Sequence, residues 1–200
     1  MYERLNIKTI TDELRVKSEK KDGRFLIGID GRCAAGKTSL AGRLQLETDC
    51  RVFHMDDFFL RPKQRTAKRL DEPGGNVDYE RFLDEVLEPL KRGDNEIFYR
   101  RYDCQRGEIL DAVKIIPGKI NIIEGSYSLN RHLYDYYDYR IFLTITPEEQ
   151  VSRILKRNGT ERYKDFRDKW IPLEEEYFLD LKIRHEKIAD IEGILQIDEL

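Results

Sequence analysis

Short apolar runs alternate with helical patterns along most of the chain. The apolar runs predict five strands, over residues 25–29, 51–55, 120–123, 139–144 and 188–197. Apolar positions at helical spacing predict helices over residues 2–20 and 39–48, after Asp78, after Pro147 and around 170–181. Strands that alternate with helices are typical of a parallel sheet with helices on both faces. The pattern therefore predicts a three-layer α/β protein with a parallel sheet of about five strands.

Two further patterns add detail to this outline. Residues 97–116 carry aromatic and β-branched side chains on both sides of a polar turn near Gly107, which predicts a hairpin. Residues 146–149, Thr-Pro-Glu-Glu, form a capping box with proline at the first helical position, which predicts the start of a helix. We expect that helix to stop near Asn158-Gly159, and a second helix to carry one stripe made of Trp170, Leu173, Tyr177 and Leu181.

A phosphate-binding loop follows the first predicted strand. Gly31-Arg32-Cys33-Ala34-Ala35-Gly36-Lys37-Thr38 matches the pattern G-x-x-x-x-G-K-S/T at every position. In such loops successive backbone N–H groups cradle the phosphates, the lysine reaches the β- and γ-phosphates and the hydroxyl ligates Mg²⁺. The chain is therefore expected to bind a nucleoside triphosphate with Mg²⁺. The predicted ATP-binding residues are Gly31, Ala34, Ala35, Gly36, Lys37, Thr38 and Ser39.

Composition narrows the class of protein. The 200 residues fit a single domain, 1–200, and their charges are mixed along the chain with a net charge of −3, so nucleic acid is not an expected partner. No apolar run approaches the roughly 18 residues of a membrane span, and a signal-peptide core is missing. The three cysteines lack C-x-x-C spacing, which suits a reducing cytoplasm. We expect a cytoplasmic protein without a membrane partner, and its oligomeric state, a homo-oligomer included, stays open.

The phosphate loop alone does not choose among kinases, GTPases, motors and transporters. The chain lacks the N-K-x-D or T-K-x-D motif of guanine recognition and the L-S-G-G-Q signature of transporter ATPases. A small-molecule kinase needs an acceptor site, a carboxylate beside the acceptor hydroxyl, and Arg or Lys side chains that neutralise the transferring group. Candidates for all three features are present, and their order along the chain is informative.

Six further stretches accompany the loop between about residues 25 and 180. They are Ile29-Asp30-Gly31, Met55-Asp56-Asp57-Phe58-Phe59, Asn76-Val77-Asp78-Tyr79, Tyr102-Asp103, Ile123-Glu124-Gly125 and the arginine-rich segment 153–162. As an ordered set they resemble the uridine kinase and phosphoribulokinase family. The resemblance implies a P-loop kinase fold of the nucleoside-monophosphate-kinase type, with an acceptor-site insert at about 57–116 and a lid at about 153–168. It also implies transfer of the γ-phosphoryl group from ATP or GTP to a nucleoside or sugar hydroxyl.

The same resemblance implies a role for each matching residue. Asp56 would accept the proton of the attacking hydroxyl or hold it in line, with Asp57 as the other candidate. Asp56, Glu124 and Thr38 would contact Mg²⁺ or its water shell. The other implied catalytic residues are Lys37, Arg153, Arg157 and Arg162, and the implied acceptor-site residues are Phe59, Asp78 and Tyr102. A helix N-cap is the competing structural interpretation of Asp78.

The chain departs from the family where uridine-specific members read the base. Those members place a histidine shortly after the Tyr-Asp pair, whereas this chain has Cys104-Gln105-Arg106. Gln105 can donate and accept hydrogen bonds toward a base edge, and Arg106 suits a phosphate or carboxylate. The expected acceptor is thus a nucleoside such as uridine or cytidine, with a sugar, sugar phosphate or vitamin-like alcohol as the alternative. A nucleotide-binding regulatory protein with little kinase activity is the second alternative.

Overall fold

The computed structural model describes residues 3–195 and is built around a six-stranded parallel sheet. The strand order is β1-β8-β7-β2-β6-β3, and β4 and β5 form a separate antiparallel hairpin. The strands are β1 (Glu3–Leu5), β2 (Phe25–Gly31), β3 (Arg51–His54), β4 (Ile97–Asp103), β5 (Glu108–Ile115), β6 (Ile120–Glu124), β7 (Tyr139–Thr144) and β8 (Ile191–Leu195).

The helices lie between these strands in chain order. They are α1 (Ile7–Glu19), α2 (Lys37–Thr48), α3 (Ala67–Leu70), α4 (Tyr79–Phe82), α5 (Glu88–Arg92), α6 (Pro147–Asp165) and α7 (Ile171–Arg184). Wider π-helical turns join α4 to α5 over Leu83–Leu87 and α6 to α7 over Phe166–Trp170. Short 3₁₀ turns occupy Met55–Phe58, Pro62–Gln64 and Tyr134–Tyr136.

Two apolar clusters cover opposite faces of the sheet. Successive strand residues point to opposite faces, so Leu26 joins one cluster and Ile27 joins the other. The first cluster packs the sheet against α4, α5, α7 and the hairpin, and the second packs it against α1 and α2. β2 and β6 are buried at every position, as expected for central strands covered on both faces. The predicted three-layer α/β fold is confirmed.

The sheet has one strand more than the apolar pattern predicts. Residues 2–20 were expected to form a helix, but β1 occupies Glu3–Leu5 and pairs with β8 before α1 begins at Ile7. Only Leu5 of the three strand residues is buried, so β1 leaves no apolar run in the sequence. The predicted last strand, 188–197, corresponds to β8, and its residues 196 and 197 lie outside the described residues.

The predicted stop near Asn158-Gly159 is confirmed, and a second helical segment follows it directly, so that α6 as a whole reaches Asp165. Its predicted start is confirmed, since the Glu149 N–H donates to Thr146 Oγ1 at 3.3 Å. At Gly159 the backbone has φ 77° and ψ 170°, which is not helical, and the helix resumes beyond it. Glycine takes a positive φ without a Cβ penalty, so Gly159 ends the first segment of α6 and the second segment starts beyond a kink.

The carboxyl ends of β2, β3 and β6 meet at one edge of the sheet. In the register of these strands Glu124 pairs with Ile29 on one side and with His54 on the other. The phosphate loop follows β2, and the Asp56-Asp57 turn follows β3. Ligands bind at this edge in open α/β sheets, so the predicted chemistry converges where the topology favours it.

Asp30, the last but one residue of β2, links this edge of the sheet to neighbouring segments through hydrogen bonds. It is fully buried and its carboxylate accepts three hydrogen bonds, from Gly31 N–H at 2.7 Å, Leu129 N–H at 2.9 Å and the Tyr177 hydroxyl at 2.7 Å. All three partners are donors, so an amide at this position would direct its own NH₂ group toward at least one donor. The carboxylate therefore connects β2 to α7 and to the segment after β6.

We expect Asp30→Asn to lower the free energy of unfolding by about 1–3 kcal/mol, because one buried donor loses its acceptor. Urea unfolding followed by circular dichroism measures this change. Asp22→Asn is the matched control, since Asp22 is exposed and its change should stay within about 0.5 kcal/mol. Equal stability of Asp30→Asn and wild type would contradict this role of Asp30.

Candidate nucleotide and acceptor site

The phosphate loop has the backbone conformation that its glycines permit. Gly31 has φ 131°, and a Cβ there would lie 1.9 Å from the carbonyl oxygen of Leu143, so no other residue fits. Gly36 has φ 101° and is the N-cap of α2. Ala34 also adopts a positive φ, 62°, at the tip of the loop. The loop therefore turns tightly from β2 into α2, which directs the helix N-terminus toward the phosphate site.

Lys37 is the positive centre of the loop. Its side chain is 9% exposed, and Nζ donates to the carbonyl oxygens of Gly31 at 2.7 Å and Arg32 at 3.1 Å. Three carboxyl groups interact with this charge, those of Asp30, Asp56 and Glu174. Burial raises the pKa of each carboxyl group, and the positive charge of Lys37 offsets part of that rise. The positive charge of Lys37 thus offsets the negative charge of several carboxyl groups at the predicted phosphate site.

Thr38 and Glu124, two of the predicted metal ligands, contact each other. The Thr38 hydroxyl donates to Glu124 Oε2 at 3.1 Å, and His54 Nδ1 lies 2.6 Å from Glu124 Oε1. The hydrogen bond to Glu124 raises the pKa of His54. Mg²⁺ takes one or two protein carboxylates together with substrate phosphates, so this donor set, with Asp56 nearby, fits the ion. Within residues 3–195, no group of three or more His, Cys, Asp or Glu side chains could hold a metal ion by itself.

The two adjacent aspartates have different surroundings. Asp56 lines the cavity above the phosphate loop, and although it remains accessible from there, the surrounding protein atoms raise its pKa. Asp57 Oδ2 instead accepts a hydrogen bond from the Tyr99 hydroxyl at 3.1 Å, and its backbone carbonyl accepts one from Arg81 at 3.2 Å. Asp57 therefore connects the turn after β3 to the hairpin, and Asp56 is the residue that a substrate can reach.

A cavity of about 440 Å³ brings most of the predicted residues together. From the sequence-predicted set its lining contains Ala34, Gly36, Lys37, Thr38, Ser39, Asp56, Phe59, Glu124, Arg153 and Arg157. Gly31 and Ala35 are buried in the loop beneath it. Cys33 also lines this cavity, and burial raises the pKa of its thiol to about 11, so little reactive thiolate forms at neutral pH.

The lid arginines divide into two groups at the kink in α6. Arg153 donates to the carbonyl oxygen of Ala34 at 3.1 Å, and Arg157 lies 3.9 Å from Cys33 Sγ. The Nε–H of Arg157 also donates to the side-chain oxygen of its neighbour Asn158 at 2.8 Å. Arg162 lies beyond Gly159, is exposed, and does not belong to the cavity lining. The structure brings two of the three predicted arginines to the phosphate loop.

A second cavity, of about 660 Å³, adjoins the first, because Phe59 and Trp170 line both. Its lining combines apolar and polar side chains, the remaining members being Leu60, Arg65, Leu70, Asp71, Asn76, Cys104, Asp168, Lys169, Pro172 and Leu173. Phe59 is the sequence-predicted acceptor residue that lies at the junction. The second cavity is large enough to hold a small molecule beside the first cavity.

The remaining predicted acceptor residues lie outside both linings. Asp78 is 2% exposed, caps α4 by accepting from the Arg81 N–H at 3.3 Å, and accepts from Gln64 Nε2 at 2.9 Å. Tyr102 is buried in β4. Gln105 and Arg106 occupy the exposed hairpin turn, where their backbone N–H groups donate to the Asp103 carboxylate. The other part of this turn, Cys104, reaches the second cavity.

The sequence was compared with family models and with curated proteins. No family model matches the chain. Inorganic pyrophosphatase TTM2 from Arabidopsis thaliana is 30% identical over 135 residues, which are 64% of this chain and 19% of TTM2. The chain therefore spans about a fifth of the length of this curated relative.

Solved structures match over nearly the whole chain. A possible uridine kinase from Bacillus stearothermophilus has a TM-score of 0.65 and 21% identity, covering 94% of this chain and 96% of its own. A fructose transport system kinase candidate from Silicibacter sp. TM1040 has a TM-score of 0.62 and 18% identity. The match covers 96% of this chain and 98% of the Silicibacter chain. The chain has the P-loop kinase fold.

None of the helices in the described residues is long and apolar enough to cross a membrane.

Several residues of this P-loop kinase fold that were not predicted as site residues line or support the cavities, among them His54, Trp170 and Glu174. His54 contacts Glu124, Trp170 lines both cavities, and Glu174 contacts the phosphate loop. The position of His54 directly before Met55-Asp56 is the signal that could have suggested it. Trp170 was expected only as part of an apolar stripe, and no local signal marks Glu174 among the neighbouring acidic residues of α7.

Proposed function

We propose that this chain is an ATP-dependent kinase that phosphorylates a hydroxyl group of a nucleoside of the uridine or cytidine type. The observation that carries the proposal is the first cavity, whose lining combines Lys37 and Thr38 of the phosphate loop with Asp56. The second cavity adjoins it at Phe59 and offers room for the acceptor. A phosphate site, a carboxylate and an acceptor space in this order are what phosphoryl transfer to an alcohol requires.

The side chains have complementary tasks in this reaction. Lys37 and the N–H groups of the loop hold the phosphates, and Asp56 accepts the acceptor's hydroxyl proton or holds that hydroxyl in line. The acceptor oxygen forms a bond to the γ-phosphorus, the bond from that phosphorus to the β,γ-bridging oxygen breaks, and ADP leaves. Arg153 and Arg157 neutralise charge on the transferring group.

Mg²⁺ would be held by Thr38 and Glu124, with Asp56 as a further ligand, and would offset the negative charge of the phosphate oxygens. His54 contacts the other oxygen of Glu124 and so orients this carboxylate. The predicted donor is ATP, with GTP as the alternative.

A sugar, sugar phosphate or vitamin-like alcohol is the alternative acceptor. Gln105 and Arg106, the residues that would read a base, lie on the exposed hairpin turn and outside both cavity linings. The charged residues of the second cavity are balanced, with Arg65 and Lys169 against Asp71 and Asp168. A neutral acceptor therefore suits this cavity better than a phosphorylated one.

The test is Mg²⁺-dependent release of ADP from ATP, measured with nucleosides, sugars, sugar phosphates and pantothenate-like alcohols in parallel. Strong stimulation by one nucleoside is the expected result. Stimulation by a sugar or vitamin alone would support the proposed phosphoryl transfer but would identify a different acceptor from a nucleoside. Tight ATP binding without stimulation by any acceptor would favour a regulatory nucleotide-binding protein. An arm with inorganic pyrophosphate as the only substrate tests the activity that the name of TTM2 states.

A further inference from the structure

Glu174 of α7 contacts the phosphate loop from the side of the lid. The residue is 5% exposed, and its Oε2 accepts a hydrogen bond from the Cys33 N–H at 2.9 Å. Its Oε1 accepts a second hydrogen bond from the Ser126 hydroxyl at 2.9 Å. Glu174 lines the first cavity together with Lys37 and Thr38. A carboxylate thus lies inside the site that the loop forms.

This contact lies in the cavity that the predicted phosphate-binding residues Lys37 and Thr38 line. The N–H groups of a phosphate loop point inward and bind phosphate oxygens. In the structure the N–H of Cys33, another residue of the loop, donates to a carboxylate oxygen of Glu174 beside these groups. Like charges repel strongly where water is excluded, so a bound phosphate and an ionised Glu174 oppose each other.

The same helix reaches the second cavity. Trp170 precedes α7 by one residue, lies one helical turn before Glu174 and lines both cavities. Pro172 and Leu173, in the first turn of α7, line the second cavity. Glu175 adds a further tie to the loop, since its Oε2 lies 3.0 Å from Arg32 Nη2. A shift of this helix end would change both cavities together.

We propose that Glu174 is a positioning residue that couples the two cavities. It accepts the hydrogen bond of the Cys33 N–H when no phosphate is bound, and the negative charge of a nucleotide phosphate in the same cavity displaces it. The displaced helix end moves Trp170 and Leu173, and the second cavity takes a new shape. The significance of that change for an acceptor rests on the proposed function, whereas the coupling itself requires only nucleotide binding.

The single tryptophan of the chain makes this coupling measurable. Titration with Mg²⁺ and a non-hydrolysable ATP analogue should change the emission of Trp170 in the wild type. Isothermal titration calorimetry gives the affinity in the same samples. No acceptor or turnover is needed, so failure of the kinase assay and failure of this proposal are separate results.

Two variants separate the charge of Glu174 from its contact. Glu174→Gln keeps the shape and an acceptor oxygen but removes the charge, so the analogue should bind about tenfold more tightly, which corresponds to roughly 1.4 kcal/mol. Glu174→Ala also removes the contact, so the analogue should bind more tightly and the change in Trp170 emission should largely disappear. Glu176→Ala, an exposed residue of the same helix, is the matched control and should behave as the wild type.

Three results would overturn the proposal. They are an unchanged emission of Trp170 in the wild type at saturating analogue, a full emission change in Glu174→Ala, and unchanged or weaker binding by Glu174→Gln. Circular dichroism reports whether each variant folds. If Glu174→Ala does not fold, the affinity of the isosteric Glu174→Gln for the ATP analogue tests the proposal: tighter binding than wild type supports it, and unchanged or weaker binding overturns it.

Discussion

Asp56→Asn should reduce turnover by about a hundredfold or more, because a positioned base contributes at least that much to proton transfer. The amide keeps the shape of the side chain but cannot accept the proton of the acceptor hydroxyl. The affinity for ATP should stay within a few-fold of wild type, since Lys37 and the loop hold the phosphates. Steady-state kinetics with the acceptor found in the panel, and calorimetry with ATP, measure the two quantities.

Asp57→Asn is the matched control for this prediction. The Asp57 carboxylate accepts a hydrogen bond from Tyr99 and does not line the cavity, so the variant should keep most of its turnover. If Asp56→Asn instead retained more than about a tenth of the activity, Asp56 would not be the base. Loss of activity in Asp57→Asn alone would transfer the role to its neighbour.

Lys37→Ala should abolish detectable turnover and weaken ATP binding by about a hundredfold or more, since it removes the cation that meets the phosphates. Its loss also leaves the carboxyl groups of Asp30, Asp56 and Glu174 without their shared counter-charge. These groups then disfavour phosphate in the same cavity. The activity assay and calorimetry measure the effect, and circular dichroism should show an unchanged fold.

Lys63→Ala controls for the loss of a lysine elsewhere, because Lys63 is exposed in the turn Pro62–Gln64. This variant should retain the kinetics and nucleotide affinity of the wild type. Normal ATP binding by a folded Lys37→Ala protein would refute the interpretation of residues 31–38 as a phosphate-binding loop.

The fold was predictable where burial leaves a continuous apolar signal. β2 and β6 are covered on both faces, so apolar residues predominate in their sequences. β1 has one buried side chain and depends on pairing with β8, nearly 190 residues away, which no local pattern reports. The break in α6 at Gly159 was predictable from the Asn-Gly pair, whereas the helical segment that follows it was not, because a glycine does not indicate whether helical geometry resumes beyond it.

The site was predictable where short motifs carry the chemistry. The phosphate loop, Asp56 and Glu124 each lie directly at or after the end of a strand, and parallel strands bring such positions to one edge. Contacts between distant segments were not predictable in this way. Glu174 and Cys33 are 141 residues apart, and the position of Gln105 on an exposed turn depends on how the hairpin packs.

The central claim is that the γ-phosphoryl group passes to an alcohol and not to water. The most direct measurement is mass spectrometry of the products formed from ATP, Mg²⁺ and the stimulating acceptor in water enriched in oxygen-18. A phosphorylated acceptor that forms in equal amount to ADP, with no solvent oxygen in its phosphoryl group, is the predicted result. Inorganic phosphate that carries solvent oxygen, with the acceptor unchanged, would contradict the account and identify a hydrolase.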